Sequence, residues 1–219
     1  MAAECIIRQI PVGDIGNFNY LIGDPKSGHA AIVDPAWEPD KLLTAAKDLG
    51  LSITHILNTH CHADHVEANG AIREATGAKI YIHQAEFPYL KHFFPPEGDV
   101  AMEDDGEVGV GALTVRWLHT PGHSPGSSCL WVGDALFVGD TVFVNSIGRT
   151  DFPGSEPREM YHSIERLRAL PEHLTIYPGH DYGPTPTTTV GDQKRDNPYW
   201  QIQSVEAFLE IAQPDNDIM

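Results

Sequence analysis

Residues 59–65 read THCHADH, and they lie between a predicted strand and a predicted helix. In an extended segment, side chains two positions apart point to the same side of the chain, so His60, His62 and Asp64 can converge. The turn into the following helix redirects His65 toward the same place. Four side chains that can offer nitrogen or oxygen ligands therefore reach one small volume.

Three further residues of the same chemical type follow predicted strands later in the chain. They are His123 in HTPGHS, Asp140 in FVGD and His180 in YPGHDY. Strand ends can meet above a common sheet edge, where loop side chains carry function. A single histidine or aspartate is more often a capping or solvated residue. Seven such residues, four of them within six positions, predict a metal site instead.

Short strands and amphipathic helices alternate along the chain, which is typical of an α/β fold. The strands are predicted at residues 19–22, 30–33, 53–57, 79–82, 113–118, 128–132, 135–138 and 174–177, and the helices at 41–49, 66–75, 157–170 and 199–211. The aromatic and acidic segment 87–105 is predicted to be a loop. NYLIGDPKSGHAAIVDP and SCLWVGDALFVGD resemble each other, and a duplicated unit would pack two sheets face to face with helices outside.

Length and charge limit the class of protein. The chain has 219 residues, the size of one domain, so we expect a single domain over residues 1–219. Its net charge of −17 repels phosphate backbones and anionic lipids. Nucleic acid and membrane are therefore poor candidates as partners, and we expect a small-molecule substrate. The aromatic stretch FPYLKHFFPP could cover a pocket or an interface, which leaves a homo-oligomer open.

The cysteines and the amino terminus bear on the compartment. The three cysteines are far apart, odd in number and without CxxC spacing, so they form neither a disulfide framework nor a thiolate zinc site. The sequence MAAECIIRQIP has no basic region followed by an apolar one, as a signal peptide would. These features predict a cytoplasmic protein.

HCHADH, HTPGHS, the later Gly-Asp and PGH resemble the HxHxDH signature and the trailing ligands of the metallo-β-lactamase superfamily. The resemblance runs from about residue 19 to residue 198. It implies a four-layer αββα sandwich, here with a short C-terminal helix, and a metal centre at the sheet edge. It also implies two ligand sets and a bridging carboxylate: His60, His62 and His123; Asp64, His65 and His180; and Asp140.

Two adjacent divalent ions would activate water near neutral pH for attack on a carbonyl, so hydrolysis is the expected reaction. Zinc is the expected metal, although histidine and aspartate suit iron and manganese equally. Asp64 could in addition steer the proton of the nucleophile. Asp34, which precedes Pro35, either orients a ligand histidine or is an ordinary turn residue.

Within the superfamily, the chain resembles the glyoxalase II-like group, which hydrolyses glutathione thioesters. It also resembles the persulfide dioxygenases, which oxidise glutathione persulfide with one iron. That second resemblance implies an iron held by His60, His123 and Asp140, and it places Arg149 and Tyr182 near the site. The features NTHCHADH, SIGRTDF and YPGHDY favour the dioxygenases, whereas TDFPGS looks more like compact bacterial hydrolases.

We therefore predict a metal-dependent hydrolase of a small thioester or ester with two divalent ions. The alternatives are a mononuclear iron persulfide dioxygenase and a metal-binding protein without catalysis. Asp64, Arg149 and Tyr182 are the candidate catalytic residues. Arg149, Lys194 and Arg195 are the cations that could attract an anionic substrate, and each could instead form a structural salt bridge.

Overall fold

Short apolar runs bounded by turn residues form two six-stranded β-sheets and a two-stranded ribbon in the computed structural model, which describes residues 5–90 and 99–212. The strands are β1 (Ile6–Val12), β2 (Asn17–Gly23), β3 (His29–Val33), β4 (Ser52–Leu57), β5 (Lys79–His83), β6 (Val100–Met102), β7 (Glu107–Val110), β8 (Leu113–His119), β9 (Ser128–Val132), β10 (Ala135–Gly139), β11 (Val142–Phe143), β12 (Ser146–Ile147), β13 (Thr175–Pro178) and β14 (Thr188–Thr189).

The two sheets repeat one arrangement. The first has the order β1-β2-β3-β4-β5-β6, and the second has the order β14-β13-β10-β9-β8-β7. In the first sheet the hairpin β2/β3 is followed by the parallel strand β4. In the second, the hairpin β9/β10 is followed by the parallel strand β13. This is the arrangement that the similarity between the two halves of the sequence suggested.

The α-helices follow the strands in chain order. They are α1 (Pro39–Asp48), α2 (Ala63–Val66), α3 (Asn69–Thr76), α4 (Phe87–Leu90), α5 (Pro157–Arg168), α6 (Val190–Asp196) and α7 (Val205–Ala212). Two 3-10 turns cover Gln84–Glu86 and Pro198–Gln201. Across the described ranges, every helix falls short of the length and apolarity that a bilayer crossing requires.

Three apolar clusters define four layers, because neighbouring side chains of a strand point to opposite faces. Tyr20 and Phe137 point between the two sheets and belong to the central cluster. Their chain neighbours Leu21 and Leu136 point outward, to clusters shared with α1 and α3 and with α5, α6 and α7. The αββα sandwich with a short C-terminal helix is thereby confirmed. Burial of each large apolar side chain contributes about 1.5 to 3 kcal/mol.

The helix predicted at 66–75 is interrupted, and α2 and α3 replace it. The carbonyl oxygen of Asp64 accepts a hydrogen bond from Asn17 Nδ2 at 2.9 Å. In a continuous helix it would accept one from the N–H of Ala68 instead. The N–H of Ala68 donates to the carbonyl of Pro35 at 3.0 Å. The break therefore comes from tertiary hydrogen bonds that compete with the helical pattern.

Two other stretches also differ from the sequence prediction. Within 87–105 the structure contains α4 and β6, while residues 91–98, with most of the aromatic stretch, lie outside the described residues. The helix predicted at 199–211 divides into a 3-10 turn and α7. The expected single domain over residues 1–219 stays a prediction.

Strands β3, β4, β10 and β13 bring their carboxyl ends to one edge of the sandwich, because each sheet holds them parallel. The N–H of Phe18 donates to the carbonyl of Gly179 at 2.8 Å and so joins the two sheets at this edge. Loops from both sheets consequently meet there.

His83, at the end of β5, and His119, at the end of β8, also connect the sheets. Their rings stack with centroids 3.9 Å apart and an interplanar angle of 8°. Burial and the neighbouring His119 lower the pKa of His83 from 6.5 to about 4. Its Nδ1 accepts a hydrogen bond from the N–H of Ala85 at 3.3 Å.

The titration of His83 predicts a pH-dependent stability. Between pH 6.5 and about 4 the unfolded chain binds a proton that the folded His83 does not bind, so stability falls as the pH drops through this window. The loss is on the order of 2 kcal/mol. His83→Asn keeps an acceptor for Ala85 but cannot titrate, so this part of the pH dependence should vanish. Urea unfolding of chelator-treated protein at pH 7 and pH 4.5 measures it, and equal losses in both proteins would contradict the assignment.

Candidate metal centre

The structure brings all seven predicted ligand residues together at the shared edge. The ligand atoms of His60, His62 and His123 lie within 4.8 Å of one another, and so do those of Asp64, His65 and His180. Asp140 lies between the two sets. Its Oδ2 is 3.6 Å from His123 Nε2 and 3.4 Å from His180 Nε2.

Backbone carbonyls orient two of the imidazoles. His123 Nδ1 lies 2.8 Å from the carbonyl oxygen of Arg149, and His180 Nδ1 lies 3.3 Å from that of Ile15. A carbonyl oxygen only accepts hydrogen bonds, so each Nδ1 is the donor and carries a proton. The Nε2 atom of each ring is therefore the one that faces the centre as a ligand.

Asp34 orients two more imidazoles, one directly and one through Thr59. Its Oδ2 is 3.2 Å from His65 Nδ1 and accepts the hydroxyl hydrogen of Thr59 at 2.6 Å. The oxygen of Thr59 in turn lies 3.1 Å from His60 Nδ1. Asp34 holds a positive φ of 48°, a conformation that non-glycine residues rarely adopt. Of the two interpretations of Asp34, the structure supports the orienting residue.

Two buried polar atoms at the centre, His60 Nε2 and Asp140 Oδ1, make no hydrogen bond among the described residues, although His65 Nε2 lies 3.3 Å from Asp140 Oδ1. An unpaired polar atom in the interior costs free energy, so such atoms usually have a function. A cation placed between the two ligand sets would pair with both of them. The donor set of imidazole nitrogens and carboxylate oxygens fits zinc, iron or manganese.

The carboxylates set the electrostatics of the second ligand set. Burial alone lowers the pKa of His180, but hydrogen bonds to Asp140 and Asp64 outweigh it and raise the pKa to about 9. Burial likewise opposes ionisation of Asp140, yet the charge of His65 and the hydrogen bond from His180 hold its pKa well below the usual range. A metal and a proton compete for the same lone pair, so cation binding here releases protons.

In the first ligand set, two of the imidazoles have lowered pKa values. Burial and the neighbouring imidazoles lower the pKa of His62 from 6.5 to about 4. Burial is also the main reason that the pKa of His60 lies well below its usual value. The lone pairs of His60 and His62 are therefore available to a metal near neutral pH.

A pocket of about 380 Å³ opens onto the centre. Its lining combines ligands with the candidate catalytic residues and with apolar side chains: Ile15, His62, Asp64, His123, Asp140, Phe143, Arg149, Phe152, His180 and Tyr182. The three candidate catalytic residues, Asp64, Arg149 and Tyr182, thus share one pocket. We refer to Ile15, Phe143, Phe152 and Tyr182 as the apolar wall.

Arg149 is already paired. Its guanidinium makes two hydrogen bonds to the Asp151 carboxylate, at 2.8 and 2.7 Å, and lies 4.5 Å from the ring centroid of Phe152. The side chain is 66% exposed, so the pair is weak and can exchange for another anion. Lys194 and Arg195 form ion pairs on and near α6 and do not line the pocket.

Tyr182 lies over a ligand. Its ring stacks on that of His180 with centroids 4.5 Å apart and an interplanar angle of 15°. Burial and the charges of Asp140 and Asp64 raise the pKa of Tyr182, so its hydroxyl keeps its proton at neutral pH. It can therefore donate a hydrogen bond into the pocket.

The sequence prediction missed two polar residues that contact the ligand loops. Asn17 donates from Nδ2 to Asp64 Oδ2 at 3.2 Å, and Glu86 accepts from the N–H of Cys61. Asn17 begins β2, and Glu86 follows the end of β5 by three residues. The rule that strand ends carry function could have indicated Glu86, whereas no local pattern distinguishes Asn17.

A sequence model of the metallo-beta-lactamase superfamily matches residues 12–180. The chain is 34% identical over 201 residues to a protein of Bacillus velezensis named probable polyketide biosynthesis zinc-dependent hydrolase BaeB, covering 91% of this chain and 88% of that protein. It is 40% identical over 185 residues to the hydroxyacylglutathione hydrolase of Maricaulis maris, covering 82% and 68%. It is 31% identical over 214 residues to human mitochondrial persulfide dioxygenase ETHE1, covering 95% and 81%.

Among solved structures, ETHE1 from Myxococcus xanthus superposes with a TM-score of 0.87 at 36% sequence identity. The match covers 96% of this chain and 91% of that one. Proteins named as hydrolases and as dioxygenases therefore both resemble this chain over most of its length, as the sequence motifs indicated.

Asp34 provides a test of the metal centre. Asp34→Asn keeps the size of the side chain but removes the charge that faces His65 and Thr59, so metal affinity should fall about 10- to 100-fold. Competition titration with a zinc chelator measures the affinity, and metal per chain by mass spectrometry measures the stoichiometry. Wild-type affinity in the variant would show that Asp34 does not support the ligands.

Proposed function

Because the chain belongs to the metallo-β-lactamase superfamily, we propose that it is a metal-dependent hydrolase of a small thioester or ester. One observation supports this proposal above all others. Asp140 Oδ2 lies within 3.6 Å of a ligand atom of each set, so one carboxylate connects two adjoining sites. Two ions in such an arrangement would lower the pKa of water and polarise a carbonyl.

Asp64 has the position of a group that orients the attacking water. It lines the pocket, and its Oδ2 is held by Asn17 at 3.2 Å and faces His180 at 3.3 Å. Although burial opposes ionisation, the hydrogen bond from His180 and the charge of His65 keep the pKa of Asp64 below its usual value. An ionised carboxylate accepts a hydrogen bond from water and fixes its direction.

Tyr182 and Arg149 serve the substrate in this proposal. The Tyr182 hydroxyl donates to an oxygen that gains charge as the carbonyl is attacked. Arg149 offers a bidentate guanidinium that an anionic group of the substrate can share with Asp151. Among the described residues that line the pocket, Arg149 is the one Lys or Arg side chain.

The apolar wall indicates the character of the acyl group. Ile15 is 51% exposed and Tyr182 is 56% exposed, and both face a pocket with little fixed positive charge. An apolar substituent that covers these side chains would remove their surface from water. We therefore propose a thioester or ester with an apolar acyl group.

Persulfide oxidation is the second candidate. It is favoured by the extent of the match to the Myxococcus xanthus ETHE1 structure, together with the arrangement of His60, His123 and Asp140. Two histidines and one carboxylate form a facial set that suits a single iron with open positions. The number of bound ions and the use of oxygen distinguish this reaction from hydrolysis.

The two reactions can be compared directly. Protein purified without added metal should bind two ions per chain, cleave S-lactoylglutathione or an apolar S-acyl thioester, and lose about 10³-fold of its rate on chelation. Oxygen uptake with glutathione persulfide should be absent. Consumption of one oxygen molecule per persulfide at an oxygen electrode, together with one iron per chain, would contradict the hydrolase and support the dioxygenase.

The apolar wall gives a second test. Ile15→Ala should lower kcat/KM for a thioester with a long apolar acyl group about 5- to 10-fold more than for the acetyl thioester. Leu49→Ala is a matched control, since Leu49 is an exposed aliphatic residue that does not line this pocket. Equal losses for both substrates, or equal effects of the two variants, would contradict the assigned specificity.

A further inference from the structure

Glu86 is a fully buried acidic residue that the proposed reaction does not use. It ends the 3-10 turn after β5, and its exposed fraction is 0%. Its described partners are hydrogen-bond donors of two loops, and none of them carries a positive charge. A buried carboxylate is costly unless hydrogen bonds satisfy it.

Three donors from two loops satisfy this carboxylate. Its Oε2 accepts a hydrogen bond from the N–H of Cys61 at 3.0 Å. Its Oε1 accepts from the hydroxyl of Ser124 at 2.7 Å and from the N–H of Gly126 at 2.5 Å. The fit at Gly126 is close, because a Cβ there would lie 2.6 Å from Glu86 Cγ.

These donors adjoin the ligands of one set. Cys61 separates His60 from His62, and Ser124 follows His123 directly. The first loop belongs to the first sheet and the second loop to the second sheet. One backbone hydrogen bond joins them beside the ligands, from the N–H of Ser128 to the carbonyl oxygen of Thr59 at 2.9 Å, and Glu86 adds a side-chain link. Glu86 contacts both loops, because its Oε2 binds the first loop and its Oε1 binds the second.

We propose that Glu86 is a positioning residue that holds His60, His62 and His123 together as one ligand set. The other set has separate support, since Asp34 contacts His65 and Asn17 contacts Asp64. Loss of Glu86 should therefore weaken one ion and spare the other. The inference depends on the metal centre and not on the reaction. With a single iron held by His60, His123 and Asp140, loss of Glu86 should weaken the binding of that iron.

Glu86→Gln is the variant that tests it, because it keeps the volume but replaces one acceptor oxygen by an NH₂ group. That group must face the N–H of Cys61 or the N–H of Gly126, so one of these two donors loses its acceptor and one loop is held less firmly. Cobalt titration followed by visible absorption measures each ion. Spectra of His123→Ala and His180→Ala identify the signals of the first and second set.

We expect Glu86→Gln to weaken the ion of the first set about 10- to 100-fold and to leave the other within threefold of wild type. Leu42→Ala is the control: it removes a buried side chain from the outer cluster of the first sheet, lowers the melting temperature and leaves both affinities unchanged. If Glu86→Gln does not fold, Ser124→Ala removes one donor and should weaken the same ion selectively.

Wild-type affinity of both ions in the variants would overturn the proposal. Equal loss of both ions, matched by Leu42→Ala, would also overturn it, since Glu86 would then act through stability alone. A protein that binds both ions with the expected selectivity but cleaves no thioester would contradict the proposed function and leave this inference intact.

Discussion

The structure depends on the placement of three carboxylates among imidazoles at one edge of the sandwich. The side chains of Asp34 and Asp140 are 3% and 11% exposed and that of Asp64 is 26% exposed, and each lies within 3.6 Å of a histidine nitrogen. Carboxylates this close repel one another, so they are stable together only with positive charge between them. Protonated imidazoles supply part of that charge, and divalent cations supply it better. The repulsion between these carboxylates, which destabilises the fold, is therefore also what favours cation binding at this edge.

The apolar clusters make this arrangement possible. They hold the two sheets face to face, and the loops that follow the parallel strands therefore lie at one edge. Positions on rigid strand ends hold ligands more closely than flexible loops would. Gly179 completes the approach, because a Cβ at that position would overlap Asp140 Oδ1. The free energy gained by burying apolar side chains between the layers therefore offsets the free energy lost by placing several charged side chains at one edge.

The pocket outside the metal centre carries the specificity. A fold and a set of metal ligands do not by themselves select a substrate, so specificity has to come from the remaining lining. Here that lining is largely apolar, with Arg149 as a cation already engaged by Asp151. Lys194 and Arg195, which the sequence also offered for substrate binding, are structural ion pairs with Glu172 and Asp192.

Local patterns were enough to select the candidate ligands. THCHADH holds four of them at short spacing, and each of the three later motifs places one shortly after a strand. The alternation of strands and helices, the similarity between the two halves of the sequence and the family resemblance likewise indicated the layers. Asn17 and Glu86 and the break between α2 and α3 were beyond such reasoning. Each depends on hydrogen bonds between residues 25 or more positions apart, and only the folded chain brings those partners within 3 Å of each other.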